Sequence, residues 1–102
     1  MDKRDIDKLP SVHPGEILKT EFLEPLGISQ NRLAQAIHMS PGQISEIVNG
    51  KRRITADTAI LLGKALKTDP EFWMRIQSRY ELEITRQISG EKIRSEVTPL
   101  VS

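Results

Sequence analysis

Ser40, Gln43, Ser45 and Glu46 place hydroxyl, amide and carboxylate groups along one predicted helix, and Asn49, Lys51, Arg52 and Arg53 follow it directly. These groups suit a nucleic acid: hydroxyls, amides and carboxylates match the hydrogen-bonding edges of bases, and lysine and arginine neutralise phosphates. Gln43 is matched to adenine and Glu46 to the amino group of cytosine, with each well-formed contact worth about 1–3 kcal/mol of discrimination. Pro41 and Gly42 offer only close approach or apolar contact with a thymine methyl, so much of the specificity is expected to rest on DNA shape. Gln30 is placed to hold a phosphate oxygen beside the N–H groups of a helix end. Asn49, Lys51, Arg52 and Arg53 are expected to clamp phosphates. Blander roles compete with these: an exposed glutamine at 30, a surface acid at 46 that repels phosphate, and a basic loop that is merely solvated.

Other chemistries find little support. The chain has no cysteine and only two histidines, His13 and His38, far apart in sequence, so neither a disulfide nor a metal site is expected. Ser40 and Ser45 lack a base and an orienting acid, and no glycine-rich phosphate loop is present. No catalytic residue, metal or cofactor is expected, and the chain reads as a binding protein rather than an enzyme.

Two short helices must carry these side chains. The first is capped by Ser29 and buries Leu33, Ala34 and Ile37 at helical spacing, with Gln30, Asn31, Arg32 and Gln35 on its polar side. The second has Ser40 as N-cap, Pro41 at its first position and Gln43 placed to close a capping box, and it buries Ile44 and Ile47. Asn49-Gly50 ends it. Only His38 and Met39 lie between the capped elements, which forces a sharp corner of the helix-turn-helix kind. The pair resembles the helix-turn-helix of phage repressors, which usually have glycine in the turn where His38 stands, so a non-glycine residue there is expected to take positive φ.

Around this pair the sequence predicts three further helices, making an all-α bundle of five. One opens at Pro14, buries Ile17, Leu18, Phe22 and Leu23, and stops at Pro25 and Gly27. A fourth is capped by Thr55 and runs to about Lys67; Ala59, Leu62 and Leu66 form its core stripe, and Ile60, Leu61 and Ala65 broaden it into an enclosed helix. A fifth starts at Asp69-Pro70-Glu71 and reaches about Ser89, with Gly90 as its stop. On it, Trp73, Ile76, Tyr80 and Ile84 are the predicted homodimer surface, although Trp73 also suits a monomer core. Dimerisation would set two recognition helices about 34 Å apart on a palindrome.

Length and composition fit this plan. The 102 residues make one domain, read as a flexible arm over 1–10, a DNA-binding domain over 11–89 and a tail over 90–102. Net charge is only +1, but residues 29–67 hold six Lys/Arg against two Asp/Glu, while 1–28 hold four against six and 68–102 five against six. The positive charge thus coincides with the helix pair. No apolar run approaches the roughly 18 residues needed to cross a bilayer, and the N-terminus does not read as a signal peptide, so a cytoplasmic location is expected.

Five helices with the DNA-binding pair second and third resemble the phage-repressor (lambda-repressor-like) class, the XRE-type helix-turn-helix proteins. Three ordered blocks narrow the resemblance: His13-Pro14-Gly15-Glu16-Ile17-Leu18, then Asn49-Gly50-Lys51-Arg52-Arg53-Ile54-Thr55 with Asp57-Thr58-Ala59, then Phe72-Trp73-Met74-Arg75-Ile76-Gln77. Over about His13 to Gln87 the chain is similar to HigA-type antitoxins, also called virulence-associated protein I. The resemblance implies a dimeric repressor that binds the palindromic operator of its own operon and neutralises a HigB-type toxin, an mRNA-cleaving ribonuclease. A stand-alone XRE-type regulator without a toxin is the alternative.

Overall fold

The computed structural model describes residues 12–102, and the arm expected over 1–10 lies outside the described residues. Among the described residues five helices follow one another. The first, α1, combines an α-helical turn Pro14–Ile17, a π-helical segment Leu18–Leu23 and a last turn Glu24–Leu26. Then come α2 (Gln30–Ile37), α3 (Pro41–Val48), α4 (Ala56–Leu66) and α5 (Pro70–Glu96).

Local chemistry sets most of the boundaries. His13 caps α1 through Nδ1, which accepts from the Gly15 N–H at 2.9 Å, and Pro14 occupies the first helical position. Pro25 does not end this helix as expected. It lies inside the last turn, just after Glu24 N–H bonds the Lys19 carbonyl five residues back. That wider ladder changes the bonding register where a proline has no N–H to give and its ring crowds the preceding turn. Gly27, at φ 65°, makes the actual stop. Ser29, Ser40, Thr55 and Asp69 cap the other four helices with side-chain oxygens.

The core draws on every helix. Leu18, Leu23, Leu33, Ala34, Ile37, Ile44, Ile47, Ala59 and Leu62 are buried, and Trp73 closes the cluster at 0% exposure. The indole Nε1–H donates to Thr68 Oγ1 at 2.8 Å, and the ring meets Phe22 and Phe72 at centroid distances of 5.2 and 5.1 Å. This corrects the placing of Trp73 on a dimer surface: a side chain already enclosed by its own chain has no area left for a partner. Ile76 packs partly against the same core.

Two further expectations change. Ile60 (60% exposed), Leu61 and Ala65 face solvent, so α4 is enclosed on one side only. Gly90 is no stop either, because α5 passes through it to Glu96. Glycine permits a helix end without dictating one and costs only about 1 kcal/mol inside a helix. At 27 residues α5 is about 40 Å long, and its second half leaves the body of a molecule measuring 50 × 29 × 21 Å. Ile88 is 79% exposed there. Among the described residues no helix is long and apolar enough to cross a membrane.

Candidate nucleic-acid interface

α2 and α3 meet at the predicted corner. His38 takes the left-handed conformation (φ 59°, ψ 39°), and the Met39 N–H bonds the Ala34 carbonyl at 3.0 Å. Positive φ is uncommon outside glycine and histidine is among the more tolerant residues, which explains why the chain can turn here without one. The buried faces of both helices point into the core, so the polar side of α3 is left outward. Ser40, Pro41, Gly42 and Glu46 are exposed, and Gln43 and Ser45 are half-buried. At Gly42 an added Cβ would meet nothing nearer than Ser40 Oγ at 3.9 Å.

The capping box has a chemical consequence for Gln43. Its Oε1 accepts from the Ser40 N–H at 3.1 Å while Ser40 Oγ accepts from the Gln43 N–H at 3.1 Å. Bidentate contact with adenine would have to share that oxygen, whereas Nε2 remains free to donate to guanine N7 or O6. Ser45 and Asn49 bond each other, Nδ2 to Oγ at 3.3 Å. Gln30 sits half-buried at the first position of α2, beside the Ser29 cap.

The basic loop is exposed at Lys51, Arg52 and Arg53 but buried completely at Ile54. Its arginines are not free cations. Arg52 lies 3.4 Å from Glu46 of α3, and Arg53 Nε donates to Glu81 Oε1 of α5 at 2.7 Å. That guanidinium hydrogen bond holds the Glu81 carboxyl below the usual carboxylate range. Lys51 pairs with no carboxylate among the described residues. Gln43, Arg52 and Arg53 border one concave surface with His38 and Met39 of the turn and Thr55 of the next cap, so the structure brings predicted base and phosphate contacts together.

Sequence reasoning missed what anchors this loop. Gln77 is 1% exposed, its Oε1 accepts from the Ile54 N–H at 2.8 Å, and its Nε2 donates to Glu81 Oε1 at 3.1 Å. The signal was present: Gln77 is a polar residue four after Trp73 on the apolar stripe of α5, and a buried amide needs partners.

α1 reaches the same region from behind. Gly15 packs against the backbone of α3, where an added Cβ would overlap the Ile47 carbonyl oxygen and lie 2.6 Å from its carbon. The His13 ring meets Tyr80 edge-on at 4.9 Å and lies beside Gly50. Burial, which disfavours the charged ring, pushes its imidazole below the ordinary 6.5, and the capping bond uses the unprotonated Nδ1. The unfolded chain therefore takes up this proton at higher pH than the folded one. The stability contributed is complete above 6.5 and is lost as pH falls from there through the folded value. Thermal melting from about pH 8 to pH 5 is expected to show Tm dropping toward the acid end. His13→Asn, which keeps a capping acceptor without titrating, is expected to flatten that drop.

Comparison with known proteins agrees with this geometry. A family model described as Helix-turn-helix matches residues 20–73. Virulence-associated protein I of Dichelobacter nodosus is 44% identical over 81 residues, covering 79% of this chain and 75% of that protein. Antitoxin HigA-1 of Vibrio cholerae is 45% identical over 75 residues, 74% of this chain and 70% of its own length. The structure of Pseudomonas aeruginosa antitoxin HigA with the higBA promoter superposes with a TM-score of 0.87 at 41% identity, covering 90% of this chain and all of that one.

Proposed function

This chain belongs to the helix-turn-helix family, among the HigA-type antitoxins, and from that premise we propose that it binds the operator of its own operon as a repressor and neutralises a HigB-type toxin. The observation that carries the DNA-binding reading is the outward polar face of α3, from which Gln43 borders one concave surface with Arg52 and Arg53 of the basic loop. Gln43, Ser45 and Glu46 read base edges, Ser40, Pro41 and Gly42 lie close to the groove floor, and Gln30, Asn49, Lys51, Arg52 and Arg53 fix register on phosphates. The protein acts by binding, in the cytoplasm, without a cofactor.

A homodimer would place two such faces on the palindrome. Tyr80 and Ile84, both half-buried, and the exposed Ile88 beyond them lie along one side of α5 and supply the apolar area for it. The toxin partner rests on the family alone.

Titration of the gene's own promoter duplex at several salt concentrations tests this reading. The wild-type protein should bind it more tightly than scrambled duplex, with two protomers per palindrome. Lys51→Ala should weaken binding to all sequences and reduce the slope of log affinity against log salt by about 0.9. Gln43→Ala should cost about 1–3 kcal/mol on the operator and little on scrambled DNA. A Lys51→Ala slope equal to wild type would remove the loop from the interface. A gene beside this one whose small product is toxic alone and harmless with this chain would support the antitoxin role.

A further inference from the structure

We infer that Glu81 is a built-in counter-ion of the DNA-binding loop: it occupies Arg53 in the free protein, competes with DNA phosphate for that guanidinium, and so holds down affinity for duplex of any sequence. The inference rests on the DNA-binding reading above and adds a residue that lies outside the helix-turn-helix. Three observations carry it. Arg53 is one of three consecutive loop cations, and its Nε meets Glu81 Oε1 at 2.7 Å. The carboxylate is not a loose surface acid that swings away when DNA arrives, because Gln77 Nε2 donates to the same Oε1. Gln77 is itself held in place, only 1% exposed and accepting through Oε1 from the N–H of Ile54, the residue next to Arg53.

Glu81 is thus fixed from the core outward, with its negative charge facing the loop. Both members of the pair remain about half exposed, at 52% and 45% of their side-chain surface. An exposed pair of this kind is weak, so phosphate can take Arg53 over, but only by displacing a carboxylate that is held in place. Of the loop's three cations, Lys51 alone meets DNA without first leaving a carboxylate, since Arg52 lies 3.4 Å from Glu46. Affinity that depends on charge alone is lowered by such an arrangement, while base contacts made by α3 are untouched. The ratio of operator binding to general binding therefore rises.

Glu81→Gln tests this, because the amide keeps an oxygen for both Gln77 and Arg53 and removes only the charge. At about 0.15 M salt the variant should bind scrambled duplex five- to tenfold more tightly than wild type, roughly, with a salt slope steeper by about one unit and an unchanged Tm. Paired with Arg53→Ala, the substitution should lose most of that gain, which separates a specific counter-ion from a general loss of negative charge. Equal or weaker binding by Glu81→Gln, or a gain that persists in the double variant, would overturn the inference. Wild-type protein that binds no duplex at any salt would overturn the DNA-binding reading instead.

Discussion

Gly15→Ala is expected to destabilise the protein by about 3 kcal/mol or more and to remove operator binding with it, read by thermal melting and by gel shift. The cause is backbone against backbone. The new methyl would overlap the Ile47 carbonyl at the end of α3, and neither atom belongs to a side chain that can rotate away. α1 would have to back off by more than an ångström, opening the core around the buried Leu18 and Ile47 and tilting the helix whose outer face is the candidate interface. Against a total stability of about 5–15 kcal/mol for a domain of this kind, that loss is large. Gly90→Ala is the internal control: its nearest neighbour would be Arg86 Cβ at 3.8 Å, in a helix, so it should raise stability by up to about 1 kcal/mol. A Gly15→Ala protein that melted like wild type would refute the close approach of α1 to α3.

Trp73→Ala should cost about 3–5 kcal/mol, the range for removing a large buried aromatic side chain. The indole is wholly enclosed, touches two other rings and gives its N–H to Thr68, so its loss leaves both a cavity and a hydroxyl without its donor. Trp73→Phe should lose less, keeping most of the ring contacts and forfeiting the hydrogen bond. Denaturant unfolding at two protein concentrations checks the assignment. A monomer-core residue lowers the midpoint at both, whereas a variant that unfolded normally and only shifted the oligomeric state would return Trp73 to the interface.

These two residues mark where sequence reading succeeds and fails in this chain. Helix starts were legible because a cap is local: Ser29, Ser40, Thr55 and Asp69 each bond an N–H within three residues, and the sequence shows both ends of that bond. The left-handed His38 was legible through the resemblance, since phage repressors usually have glycine at that turn position. Exposure was less legible. Ile60 and Leu61 read as core because apolar residues cluster on α4, but nothing in that stretch tells which neighbours cover which side. Gly90 read as a stop because glycine allows one, yet the chain keeps its helical bonds there.

In the candidate site, the outward side of α3 and the cations behind it could be named from spacing, and the partners of those cations could not. Arg53 meets Glu81 across 28 residues and Ile54 meets Gln77 across 23, contacts that exist only once α5 has packed. Such pairs are invisible to periodicity, though a polar residue on an apolar stripe gives notice that one exists.

On the proposed reading of α3, the open space at Gly42 would make this protein retargetable. A side chain introduced there projects outward from the second position of α3, with Ser40 Oγ as its only near neighbour at 3.9 Å. With α3 at the base edges, as proposed, new operator preferences would be within reach of single substitutions that the fold does not resist, and scaffold and choice of DNA would be free to diverge independently.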